Sequence, residues 1–232
     1  MVDSASSSCL SQDLWSQKGV NRHRQIRRAQ IVRQFVKDEG IDRILDVGCA
    51  EGFVTYHILD RRRDLVGVDI QRAGLSKAKS LASDCDFLCS SITCLPFRDQ
   101  TFDAVCALEV LEHLPKEMLL KGLAEVDRVL RHGGIVVISV PYRQAIHFVN
   151  RGGRVVPDNE VGHLHTLDER SVSALMPGGY HLKNSQTLGA YSLITCSPFF
   201  RHMPLELWLP VNNFFSRVKK SDWVVIQFKK KG

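Results

Sequence analysis

Four short stretches of the chain carry residue types and spacings that can do chemistry. In LDVGCAEGF, residues 45–53, Asp46 precedes Gly48 and Gly52, with Cys49 and Ala50 between the two glycines. Glycines after a strand let a ligand approach the backbone, and the helix that follows offers its first amide groups. The pattern Gly48-x-Ala50-x-Gly52 differs from the GxGxxG of dinucleotide binders. A carboxylate at Asp46 would also repel a pyrophosphate at the loop entrance, so the loop suits a ligand with a cationic or amine-bearing end. Asp69 closes a second apolar run, DLVGVDI, seventeen positions after Gly52. A carboxylate there accepts hydrogen bonds from ribose hydroxyls. Together the two stretches select an adenosine-type ligand without a pyrophosphate.

The third stretch is EVLEH, in which Glu109, Glu112 and His113 stand at i, i+3 and i+4. That spacing predicts one shared helix face. The fourth is GHLHT, where His163 and His165 alternate and point the same way on an extended segment. Three roles stay open for these groups. They can support the ligand loop, or His113, His163 or His165 can act as a general base towards a hydroxyl. Two carboxylates and an imidazole can also hold a hard divalent ion.

The elements that must position these residues follow from periodicity. Apolar positions Ile26, Ala29, Ile31, Val32, Phe35 and Val36 predict an amphipathic helix over 22–39, stopped by Gly40. RILDVG, DLVGVDI, DFLCS, FDAVCAL and IVVISVP read as five strands. Helices are expected over 53–59, over 75–82 and within 109–130, and Gly133-Gly134 reads as a turn. Strands alternating with helices imply a mostly parallel sheet covered on both faces. Right-handed crossovers gather the loops after the first, second and fourth strands along one edge, where ligands of such sheets bind. Beyond Pro141, a helix over 167–176 and strands at YHLKNSQTL and DWVVIQFKK are expected.

Composition bounds the function. The chain has 232 residues, net charge +6 and 44% hydrophobic residues. That is enough for a real core and for one α/β domain with elaborations. No apolar run reaches the roughly 18 residues of a membrane span. The first residues lack a basic region followed by an apolar one, so residues 1–21 read as a mobile tail rather than a secretory signal. The seven cysteines are odd in number and form no CxxC pair, which points to reduced thiols in a cytoplasmic setting and against structural zinc. Arginines crowd residues 22–33, yet almost no aromatics are interleaved with them, so nucleic acid is not the favoured partner. Residues 199–215 are rich in aromatics and suit either a cover over an apolar acceptor pocket or core packing, and the basic residues after them leave a peripheral membrane contact open.

LDVGCAEG, VGVDI, LPFRDQTFDAVCALEVLEHLP and LRHGGIVVISVP, in this order, resemble a class I S-adenosylmethionine-dependent methyltransferase of the type 11 subgroup. GHLHTLDERSVSALMPGGY is similar to a segment such proteins carry after the fifth strand. The resemblance implies an α/β fold, a Rossmann-like, doubly wound, seven-stranded and mostly parallel sheet with an antiparallel last strand. It divides the domain into a cofactor-binding half over 22–141 and an acceptor-side elaboration over 142–232. It implies that Asp46, Gly48, Cys49, Ala50 and Gly52 wrap the methionine and ribose of S-adenosylmethionine. Asp69 would hold the ribose hydroxyls, Ile70 would pack on the adenine, and the Leu108 carbonyl would meet the methionine amine. Ser91 stands where the family usually has an adenine-binding aspartate, with the Ile92 amide beside it. Ala50 replaces a glycine, which is tolerable if its φ is not positive. EVLEH and the later histidine also resemble the Mg²⁺ ligands of small-RNA 2′-O-methyltransferases. The expected activity is methyl transfer to a small-molecule, sugar-linked or lipid-linked acceptor, with His113 the candidate catalytic residue. The alternatives are a metal-assisted RNA methyltransferase or a non-catalytic cofactor-binding module; a dehydrogenase is disfavoured by Asp46.

Overall fold

A computed structural model describes residues 19–37, 40–58, 64–142, 148–149, 155–156, 163–188, 206–207, 210 and 223–232. The aromatic segment over 199–215 and the tail therefore lie almost wholly outside the described residues. In chain order the elements are α1 (Gly19–Lys37), β1 (Arg43–Val47), α2 (Phe53–Ile58), β2 (Asp64–Asp69), α3 (Arg72–Leu81) and β3 (Asp86–Cys89). There follow β4 (Phe102–Leu108), a 3₁₀ turn (Leu111–His113), α4 (Lys116–Val129) and β5 (Leu130–Pro141). A two-residue ladder, β6 (Phe148–Val149) with β7 (Val155–Val156), precedes α5 (Glu169–Leu175), β8 (Tyr180–Leu188) and β9 (Trp223–Lys230).

Seven strands form one sheet in the order β3-β2-β1-β4-β5-β9-β8. The first five are parallel, and β9 runs antiparallel to both β5 and β8. This is the expected mostly parallel sheet with an antiparallel last strand. Its order reverses between β1 and β4, so their carboxyl ends open a crevice. Successive residues of the central strands alternate between two buried faces. Ile44, Ala104, Ile135, Val137 and Val225 pack with α1 and α3, whereas Leu45, Val105, Val136, Ile138 and Ile226 pack with α4 and α5. Burial on both sides explains why these strands read as continuous apolar runs.

Two boundaries differ from expectation. Helix α3 starts at Arg72, three residues before the first buried apolar residue, Leu75, from which the periodicity is legible. Gly133-Gly134 is not a turn between elements but an irregularity inside β5, where Phe102 pairs with Leu130 and Ala104 with Ile135. A Cβ on Gly134 would lie 2.9 Å from the Asp103 carbonyl oxygen, so the bulge needs glycine there.

Candidate active site

The loop between β1 and α2 is held by its own amides. Gly48 and Cys49 N–H both donate to the Val68 carbonyl, at 2.8 and 3.1 Å. Ala50 N–H donates to Asp69 Oδ2 at 2.8 Å, and Gly52 N–H to the Cys49 carbonyl at 2.9 Å. These four donors are spent inside the protein and are not offered to a phosphate. Gly48 has φ +76°, and a Cβ there would come within 2.3 Å of Val110 Cγ2. Ala50 also has a positive φ, +48°. The condition for its easy tolerance is not met, and the bond to Asp69 is what holds an alanine in a region that favours glycine. The Cys49 thiol is buried, and burial first and the carboxylates of Asp46 and Asp69 second push its pKa well up, so it stays protonated and inert.

Asp46 lies at the end of β1, 2% exposed, and accepts a hydrogen bond from Thr55 Oγ1 at 2.6 Å. Burial pushes its carboxyl up to about 7, against the lowering pull of that hydroxyl; Asp69 adds to the rise and Arg28 opposes it. Asp69 accepts from Ala50 N–H on one oxygen and from Gln71 N–H at 2.8 Å on the other. It thus pins the ligand loop while each oxygen keeps a further lone pair for a ligand. Next to it Ile70 is 69% exposed, as a residue that waits for a flat apolar partner would be. Ser91 spends its hydroxyl on a local turn, 2.9 Å from Thr93 Oγ1 and accepting Thr93 N–H at 3.2 Å. The Ile92 side chain is buried against Gly122 of α4 and serves the core.

EVLEH does not form one helix face. Glu109 sits at the exit of β4 with φ +60°, and only Leu111–His113 coil, as a single 3₁₀ turn. Glu109 turns instead towards α1 and β9. It accepts from Ser139 Oγ at 2.8 Å and from Trp223 Nε1, and pairs with Arg28 Nη2 at 3.4 Å. Arg28 is 3% exposed; its Nη1 donates to Gln25 at 3.0 Å, and its Nε has no hydrogen-bond partner among the described residues. The Arg24 guanidinium lies 4.5 Å from the Trp223 ring centre. Sequence reasoning did not single out Arg28, Thr55, Ser139 or Trp223 for the site. A signal for Arg28 existed: it stands three residues after Gln25 and four before Val32, on the buried side of α1.

Glu112, His113 and His163 do come together, with one ligand atom from each within 4.8 Å of the others. His163 and His165 are partly buried while Leu164 and Thr166 are exposed, so the expected alternation holds. His165 is not part of the trio. Glu109 is not part of it either, so the two carboxylates expected for a hard ion are not assembled.

The Leu108–Asp46 edge thus brings the buried Asp46, the Asp69 carboxylate and the exposed Ile70 to the carboxyl ends of β1, β2 and β4. A family model described as a methyltransferase domain matches residues 45–138. A probable S-adenosylmethionine-dependent methyltransferase of Mycolicibacterium smegmatis is 28% identical over 71% of this chain and 62% of its own length. By this likeness the chain is similar to S-adenosylmethionine-dependent methyltransferases. A demethylmenaquinone methyltransferase of Renibacterium salmoninarum is 34% identical over 42% of this chain and 40% of its own. The chain spans less than two thirds of the length of these relatives. The crystal structure of protein PH0226 from Pyrococcus horikoshii shares the fold, with TM-score 0.65 at 18% identity over 95% of this chain and 94% of that one. S-adenosylmethionine is the cofactor named for the first of these relatives, and Asp69, whose oxygens keep lone pairs, and the exposed Ile70 are chemically suited to its ribose and adenine. Among the described residues no helix is long and apolar enough to cross a membrane, and Cys49, Cys85, Cys89, Cys94 and Cys106 are free thiols.

Proposed function

We propose that this protein transfers a methyl group from S-adenosylmethionine to a small-molecule, sugar-linked or lipid-linked acceptor. The observation that supports the reading is the pinning of the loop: Ala50 N–H donates to Asp69, whose two oxygens keep lone pairs for a ligand, beside the exposed Ile70. When bound, the cofactor supplies an electrophilic methyl group on a sulfonium. Asp69 holds the two ribose hydroxyls and Ile70 covers one face of the adenine. The Leu108 carbonyl and the Asp46 carboxylate attract the methionine amine, and Gly48, Cys49, Ala50 and Gly52 shape the wall. The buried Arg28 holds Glu109 in place beside that end of the crevice. Methyl transfer asks mainly for an in-line approach, so positioning supplies most of the rate, and His113, when no ion holds it, is the candidate base for a hydroxyl acceptor. An apolar acceptor is supported by Leu164, 56% exposed beside the histidines, and by the quinone substrate named for one relative.

The test is a calorimetric titration with S-adenosylmethionine and, in parallel, with NADH. One-to-one binding of the sulfonium and none of the dinucleotide is expected. Binding of NADH alone would overturn the reading.

A further inference from the structure

We propose that Glu112, His113 and His163 form a binding site for a borderline divalent ion of the Zn²⁺ type, beside the cofactor crevice. The geometry brings three different ligand groups from two distant segments to one point. Their ligand atoms lie within 4.8 Å of one another. Three donors on one tetrahedral ion, each about 2.1 Å from it, stand about 3.4 Å apart, so small side-chain rotations close the set. The two imidazole rings cross edge to face, with centres 4.8 Å apart and planes at 65°. Backbone bonds hold the segments in register. Leu164 N–H donates to the Glu112 carbonyl at 2.7 Å, His165 N–H to the same oxygen at 3.4 Å, and His113 N–H to the Val110 carbonyl at 3.2 Å. The loop that carries His163 is thus fastened to the residue that supplies the carboxylate.

The ligand chemistry selects the ion. Two imidazoles and one carboxylate suit Zn²⁺, Co²⁺ or Fe²⁺, whereas Mg²⁺ and Ca²⁺ want oxygen throughout. A second carboxylate would shift the balance towards a hard ion, but Glu109 is taken by Arg28, Ser139 and Trp223. Glu112 is 0% exposed, so its carboxylate is held inside the fold where the two imidazoles meet it. Both histidines are only partly buried, so the fourth position of a tetrahedral ion opens towards the cleft. An acceptor oxygen would fill that position; this role, unlike the site itself, rests on the methyl-transfer reading.

The experiment is calorimetric titration of the purified, chelator-treated protein with Zn²⁺, with Co²⁺ followed by its visible absorption and with Mg²⁺ as a comparison. One-to-one Zn²⁺ uptake is expected, much tighter than Mg²⁺. His113→Asn and His163→Asn should each weaken it by more than the roughly 10–100-fold that follows loss of an outer-shell partner. His132→Ala, on the exposed part of β5, should change nothing, and circular dichroism establishes that each variant is folded. Absence of uptake would overturn the proposal. Uptake untouched by both histidine variants, or Mg²⁺ binding as tightly as Zn²⁺, would overturn it too. S-adenosylmethionine titrated into the same samples separates the two readings: metal uptake without cofactor binding sinks only the proposed function, and cofactor binding without metal uptake sinks only the site.

Discussion

Replacing Asp46 by asparagine should make the fold less sensitive to pH, and more stable at neutral and alkaline pH. The folded protein holds this carboxyl protonated up to about pH 7, because burial penalises its charge, while its ordinary value is 3.8. Between those values the folded state binds more protons than the unfolded one, so stability must fall as pH rises. About three units at about 1.4 kcal/mol each give about 4 kcal/mol in all, of which about 2–3 kcal/mol is lost between pH 5 and pH 8. The asparagine side chain would keep the acceptor for the Thr55 hydroxyl but never ionise. Urea unfolding of both proteins across pH 5–8 measures the difference directly. The variant should gain about 2–3 kcal/mol on the parent across that range. A difference that stays flat with pH would refute the reasoning, since no other substitution effect tracks this titration. The same carboxyl should release a proton when a cationic ligand arrives, which calorimetry in two buffers of different ionisation enthalpy would detect.

Asp69→Ala should weaken S-adenosylmethionine binding by about 1–3 kcal/mol, or roughly 5- to 150-fold in Kd, and loosen the Ala50 amide it holds; unchanged calorimetric affinity would displace the ribose from this carboxylate. Ala50→Gly should raise the melting temperature slightly, by up to about 1 kcal/mol of stability, because relief of a positive φ outweighs the added freedom of the unfolded chain. Arg28→Gln should cost about 3 kcal/mol in urea unfolding by leaving Glu109 without its cation. Adding Glu109→Gln to that variant should recover part of the loss.

The parts of this site legible in the sequence are the local ones. Asp46, the glycines and Asp69 announce themselves because a strand end, a turn and a second strand end follow one another within a short stretch. The positive φ of Ala50 was not legible, since alanine gives no signal for a conformation imposed by Asp69 across the crevice. EVLEH misled for a different reason. Its i, i+3, i+4 spacing fits a helix, but Leu114 stands before Pro115, and the residue before a proline avoids the helical region. Helix α4 therefore restarts at Lys116, and Glu109 belongs to the strand end. The partnership of Arg28, Glu109 and Trp223 joins the first helix, the fourth strand and the last strand. No local pattern encodes such a meeting; only the sheet order brings it about.

That sheet order also dictates a sequence of events during synthesis. Strand β9 is made after β8 yet lies between β8 and β5. Until it emerges from the ribosome, β5 presents an unpaired edge through Ile135, Val136, Val137 and Ile138, and β8 has no partner at all. Such an edge is a template for pairing with another chain. Gln227, which reaches the Phe35 carbonyl at 3.0 Å, and Trp223, which reaches Glu109, arrive on the same late strand. The nascent chain therefore passes through an interval in which the cofactor loop is already made but Arg28 and Glu109 still lack their third partner, and in that interval a chaperone that shields β5 would matter more than anything that binds the finished crevice.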